Sequence, residues 1–127
     1  MTTDLEKALY DKRAPWTQIE FRTTDYWVFA DAYPVNPGHL LFVPTNNQAE
    51  NLYECYKAAY QFGYDGVNNE KWDGFNIGQN CGEVAGQTVM YPHVHMIPRF
   101  TGDMADPRGG VRHVIPEKGN YKNGSKK

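Results

Sequence analysis

The sequence predicts an α+β fold: one antiparallel sheet of about five strands, a long helix packed on it, and a short helix near the N-terminus. Three observations lead there. Residues 16–22, 26–31 and 39–44 alternate or run apolar over strand length, with short turn-rich connections between them. One longer stretch, 48–62, repeats apolar residues at helical spacing. Two more strand-like stretches, 74–80 and 90–100, follow it. This order fits an antiparallel sheet with a helix laid across it.

Each element has its own signal. DLEKALYD, 4–11, reads as a short helix with Asp4 at the N-cap. WTQIEFR, 16–22, alternates at period two, and YWVFAD, 26–31, is joined to it by a tight turn at Thr23–Asp25. DAYPVNPGH is a loop punctuated by Pro34, Pro37 and Gly38. HLLFVP, 39–44, is continuously apolar, as a buried central strand is. In 48–62 the positions Leu52, Cys55, Tyr56, Ala59 and Tyr60 form a helical stripe. GYDGVNNEKWDG reads as a polar loop. GFNIGQN, 74–80, begins as a strand, CGEVAGQTV is a Gly-rich turn, and MYPHVHMIPRF is the last strand. The basic ending EKGNYKNGSKK reads as a mobile tail. The chain is expected to be one domain, residues 1–127, with its core at about 15–118 and a polar, flexible tail at 119–127.

Composition narrows the function classes. The chain has 127 residues, 40% hydrophobic and 14% aromatic, with a formal charge of −2. That charge offers no bulk attraction for nucleic acid or an anionic membrane. No apolar run approaches the roughly 18 residues of a membrane span. The charged start, MTTDLEKALYDKR, lacks the apolar stretch of a secretory signal. Two cysteines, Cys55 and Cys81, do not make a disulfide framework and are expected as free thiols in a reducing, cytoplasmic setting.

The chemistry concentrates in YPHVH, 91–95. On a strand, His93 and His95 share a face with Tyr91 and Ile97, while Val94 and Met96 turn to the core. Three readings follow. Both imidazoles could be packed sheet residues. They could ligate zinc, which needs three or four ligands, so His39, Asp31 or Cys81 would have to join them. Or one imidazole could act as a nucleophile with its neighbour helping to neutralise charge. The preceding turn favours the third reading. Gly82 and Gly86 give flexibility, and Asn80, Gln87 and Thr88 supply neutral donors of the kind that hold phosphoryl oxygens.

GFNIGQNCGEVAGQTVMYPHVHMIPRFTGD resembles the signature region of the histidine triad (HIT) superfamily. There, an asparagine, a Gly-rich turn, GQ and Ser or Thr precede His-x-His-x-His. Pro-Arg and Gly-Asp follow, here Pro98, Arg99, Gly102 and Asp103. FADAYPVNPGHLLFVP and PRGGVRHVIPEK are similar to further family segments, so the resemblance spans roughly 15–118.

The resemblance implies a nucleotide hydrolase or nucleotidyl transferase, usually a homodimer, that needs no metal or other cofactor. Cleavage at the α-phosphate of a nucleoside phosphate or phosphoramidate would run through a nucleotidyl-histidine intermediate. His93 would be the nucleophile and His95 the last triad histidine, supported by His39. Asn80, Gln87 and Thr88 would bind phosphate and Asp31 the ribose. Ile19, Phe21 and Phe29 would flank the base. The aromatics of 48–62 (Tyr53, Tyr56, Tyr60, Phe62) and the strand GFNIG would form the dimer contact.

One position departs from the pattern. Tyr91 stands where the first triad histidine would be, followed by Pro92. Its hydroxyl is expected to replace one hydrogen bond of a supporting histidine. The alternatives are a nucleotide-binding or sensor protein with weakened turnover, or a zinc-binding protein.

Overall fold

In the computed structural model, which describes residues 2–122, the sheet has five antiparallel strands in the order β1-β2-β3-β5-β4. They are β1 (Ile19–Arg22), β2 (Tyr26–Ala30), β3 (Leu40–Pro44), β4 (Gly74–Gly78) and β5 (Val94–Arg99). The first three follow one another as neighbours. The long helix then carries the chain over the sheet to its far edge, where β4 forms, and β5 returns between β4 and β3. β3 is buried along its whole length, as its unbroken apolar run requires.

The two faces of the sheet bury different partners. Val28, Leu40, Phe42, Val94 and Met96 pack under the long helix α2 (Ala49–Asn68) with Cys55 and Ala59. Phe29, Leu41 and Val43 face the other way, against Leu5 and Ala8 of the short helix α1 (Asp4–Tyr10), Ala14 and Tyr91. Thr3, not Asp4, caps α1: its side chain accepts from the Glu6 N–H while the Glu6 carboxylate accepts from the Thr3 N–H. Asp4 instead fastens the helix to the end of β3, its carboxylate accepting from the Asn47 N–H.

Helix α2 runs six residues past the expected end at 62. Gly63 and Gly66, in the stretch expected as a polar loop, lie on its buried face. A Cβ at Gly63 would run into the Phe75 ring, and one at Gly66 into the Trp72 ring. The glycines are there so that two aromatic rings can lie on the helix backbone, and the Trp72 indole N–H donates to the Gly63 carbonyl at 2.8 Å.

The strand at 16–22 is shorter than expected, because residues 16–18 approach β1 without joining it. The last strand starts at Val94, so Tyr91, Pro92 and His93 form its lead-in. Residues 119–122 of the expected tail are held: the Gly119 carbonyl accepts from Arg112, and Asn120 donates to Asp106. Residues 123–127 lie outside the described residues. Among the described residues, no helix is long and apolar enough to cross a membrane.

Candidate active site

A cleft of about 620 Å³ opens on the α1 side of the sheet, where β5 begins. Its floor carries Leu41 and the rings of His93 and His95. One wall is the lead-in to β1, Pro15 to Gln18; another is Ala30 to Tyr33 after β2; the third is Asn80, Gly86, Thr88 and Val89. Pairing opposite Leu41 puts His95 on this face, and alternation sends Val94 and Met96 into the core under α2. The rings of His93 and His95 lie 5.2 Å apart between centroids.

Hydrogen bonds fix which nitrogen each imidazole presents. His93 Nδ1 is 2.8 Å from the Tyr91 carbonyl, an oxygen that can only accept, so Nδ1 carries the proton. Nε2 of His93 then holds a lone pair and has no partner among the described residues. The edge of Trp16 packs on the same ring at 4.9 Å and holds its tilt.

A second chain of bonds sets His95. The Val35 N–H donates to Nδ1 of His39 at 3.0 Å, so the His39 proton sits on Nε2. That N–H points at Nδ1 of His95, 2.9 Å away. Nδ1 of His95 must therefore accept, which leaves an N–H on Nε2, the nitrogen free for the cleft. The site so presents one imidazole lone pair and one imidazole N–H side by side. Burial lowers the pKa of all three histidines below its ordinary value. His95, which also has His93 and His39 as neighbours, falls to about 4. All three are neutral at pH 7.

Asp31 sits at the cleft edge. One carboxylate oxygen accepts from the Tyr33 N–H at 2.8 Å; the other lies 3.4 Å from His39 Nε2 and 3.9 Å from His95 Nδ1. Asp31, His39 and His95 are close enough to hold a cation. The His39 tautomer opposes it: with Nδ1 accepting from Val35, the nitrogen facing the cluster bears a proton rather than a lone pair.

The Gly-rich turn is built by its own bonds. Gly82 and Gly86 adopt φ of +96° and +94°, a region that favours glycine. Gln87 is not free to bind a ligand. Its amide oxygen accepts from the Gly82 N–H at 2.7 Å, and its NH₂ donates to the carbonyls of Val89 and Met90. It shapes the loop, whereas the side chains of Asn80 and Thr88 have no partner among the described residues and line the cleft.

The three expected base-flanking residues are all placed elsewhere. Phe29 is fully buried beneath Trp16 and Trp27. Phe21 lies on the α2 side, against Phe62 and Tyr26. Ile19 is half-exposed on the edge strand and outside the cleft. The cause is a bulge in β1: Ile19 pairs with Phe29 but Phe21 with Val28, so two residues that alternation puts on one face end on opposite faces. The apolar wall is Pro15, Trp16 and Val89 instead. Trp16, the aromatic that touches His93, reads in sequence as one more strand residue.

Tyr91 is also placed differently from the expectation. Its side chain leaves the imidazoles and is buried among Leu5, Ala8 and Val43. Its hydroxyl donates to the Pro44 carbonyl at 2.6 Å, at the end of β3. What Tyr91 gives His93 is its backbone carbonyl.

A family model described as the HIT domain matches residues 16–102. The chain belongs to the HIT family. This HIT-domain protein is 37% identical over 79 residues to the AP-4-A phosphorylase of Mycobacterium tuberculosis, a stretch covering 56% of this chain and 40% of that one. It is 30% identical over 113 residues to the asymmetrical bis(5′-nucleosyl)-tetraphosphatase of Schizosaccharomyces pombe, covering 80% of this chain and 60% of that protein. The chain thus spans less than two thirds of the length of these curated relatives. Its fold is that of a zinc-bound histidine triad family protein from Mycobacterium smegmatis, with a TM-score of 0.65 at 24% identity, covering 78% of this chain and 76% of the other.

Proposed function

We propose that this HIT-domain protein hydrolyses or transfers a nucleoside monophosphate, cleaving at the α-phosphate through a nucleotidyl intermediate on His93. One observation carries the reading: the Tyr91 carbonyl holds the proton on Nδ1 of His93, so the cleft receives a neutral imidazole with its Nε2 lone pair outward. That is the state in which an imidazole is a nucleophile. His95 offers its Nε2–H beside it, aimed where charge grows on the phosphoryl oxygens. Asn80 and Thr88 add neutral donors, and Asp31 takes the ribose hydroxyls at the cleft edge. Tyr91 occupies the place of the first triad histidine and supports the nucleophile through its main chain.

In this reading His93 Nε2 forms a bond to phosphorus as the bond to the leaving group breaks. The leaving group keeps that electron pair and takes a solvent proton. Water then attacks phosphorus and gives up its proton to solvent, the N–P bond breaks, and the pair returns to Nε2. The names of the relatives, which act on dinucleoside tetraphosphates, support a nucleotide substrate. The protein is taken as cytoplasmic and dimeric. Tyr60 and Tyr64 of α2 stand exposed beside Phe75 on edge strand β4, a patch suited to a two-fold contact; a 14.5 kDa species in light scattering would remove the dimer.

The test of function is incubation with adenosine 5′-phosphoramidate. AMP should appear with the parent protein and at a rate lower by several orders of magnitude with His93→Ala. A parent protein that binds AMP but releases none from this substrate contradicts the reading.

A further inference from the structure

The Pro-rich loop before β3 meets Pro98, Arg99 and Asp103, which follow the histidines, outside the cleft. Asn36 makes the link. Its side-chain NH₂ donates to the Pro98 carbonyl at 3.0 Å and to the Asp103 carboxylate at 2.8 Å. Asp103 is itself fixed by other donors. Arg99 reaches both its oxygens, at 2.9 and 2.8 Å, and the Phe100 N–H donates to one of them at 2.9 Å. Together these donors hold the Asp103 carboxyl well below the usual carboxylate range, so the anchor stays charged wherever the histidines are neutral.

Few contacts hold this loop. Tyr33 and Val35 are 90% and 65% exposed, so their side chains give it no buried anchor. Pro34 and Pro37 have no N–H to donate, and Pro37 restricts Asn36 to extended backbone. Gly38, at a φ of +90°, lays the chain on Pro98, where a Cβ would come within 3.1 Å of the ring. The Asp31 carboxylate holds the start of the loop at the Tyr33 N–H, and Asn36 holds its middle. What the loop delivers is the Val35 N–H, one residue before Asn36, which donates to Nδ1 of His39 at 3.0 Å. The Asn36 main-chain carbonyl also accepts from the His39 N–H at 3.2 Å. Asn36 thus stands between the donor that sets the His39 tautomer and the backbone of His39 itself, and His39 passes that setting to His95 across 2.9 Å.

We propose that Asn36 is a positioning residue for His95: clamped by Asp103 and the Pro98 carbonyl, it keeps the Val35 N–H on His39 and so keeps the His95 proton on Nε2. Its effect on turnover rests on the nucleotidyl-transfer reading above; its effect on the imidazole tautomers does not. Without the clamp the Val35 N–H turns to solvent. His39 is then free to carry its proton on Nδ1 and to accept from His95 at Nε2. His95 would present a lone pair to the phosphoryl oxygens instead of a donor.

The experiment reads the imidazole nitrogens of nitrogen-15-labelled protein by NMR at neutral pH, in the parent, Asn36→Ala and Asn36→Asp. Asn36→Ala removes the side-chain donors. Asn36→Asp keeps the shape, loses the donors and sets a carboxylate against Asp103. The parent should show His95 protonated at Nε2 alone, and both variants should move its ring nitrogens towards a mixture of the two tautomers. Unchanged His95 nitrogens in either variant would overturn the proposal, whatever the activity. With adenosine 5′-phosphoramidate, Asn36→Ala should lower kcat by about two- to tenfold and leave KM within about twofold. The same substitution made in His39→Ala should cost almost nothing, because the relay is already broken. An equal fall in kcat in both backgrounds, or a rise in KM with kcat unchanged, would overturn the relay through His39. A parent protein that releases no AMP would remove the nucleotidyl-transfer reading, and the ring nitrogens would still decide the role of Asn36.

Discussion

The Nε2 of His39 lies 2.9 Å from Nδ1 of His95, and this pairing decides which nitrogen His95 turns to the cleft. The chain of donors starts outside the histidines, at the Val35 N–H. A loop backbone thus sets the tautomer of His95, and the cleft receives an N–H from its Nε2.

His39→Ala should free His95 to exchange tautomers. A lost buried hydrogen bond is worth about 1–3 kcal/mol, so kcat/KM should fall by roughly 5- to 150-fold. His39→Gln, whose amide can still present an N–H to His95, should recover part of the loss. A His39→Ala protein within about threefold of the parent would mean that His95 does not depend on this donor.

Tyr91→Phe should act on stability rather than rate. The hydroxyl bonds the Pro44 carbonyl rather than an imidazole, and the carbonyl that holds the His93 proton is main chain. Loss of one neutral hydrogen bond costs about 0.5–1.5 kcal/mol. Denaturant unfolding should register that loss while kcat stays near the parent value. A fall in kcat without a fall in stability would return the hydroxyl to the imidazole network.

The pH dependence follows from the lowered histidine pKa values. Activity needs neutral imidazoles, so kcat/KM should rise with pH along an acid limb whose midpoint lies below 6.5, and be level near pH 7. Stability has the same sign. Between about 6.5 and about 4 the unfolded His95 binds more protons than the folded one, so the fold loses stability as pH falls through that window. A pH–rate profile still rising above pH 7 would contradict neutral histidines in the free site.

The layout of the sheet was legible because alternation and an unbroken apolar run are properties of single strands. Val94 and Met96 turn to the core and His95 to the opposite face, as period two requires. What stayed hidden depends on contacts between distant segments. The bulge that separates Ile19 from Phe21 appears only against β2. Gly63 and Gly66 look like loop residues until Phe75 and Trp72 are laid over them. Gln87 offers the same amide to a ligand or to its own loop, and only the fold shows all three of its bonds turned inward. The direction of the Tyr91 side chain was not legible, because Pro92 and His93 precede the strand and escape its alternation.

The central claim is that His93 carries the nucleotide. The most direct measurement is the intact mass of the protein quenched during turnover of adenosine 5′-phosphoramidate, followed by peptide mapping. The account predicts an adenylyl adduct on the peptide containing His93, absent from His93→Ala, whose turnover is lost. Steady release of AMP with no adduct, together with a His93→Ala rate within about tenfold of the parent, would contradict it.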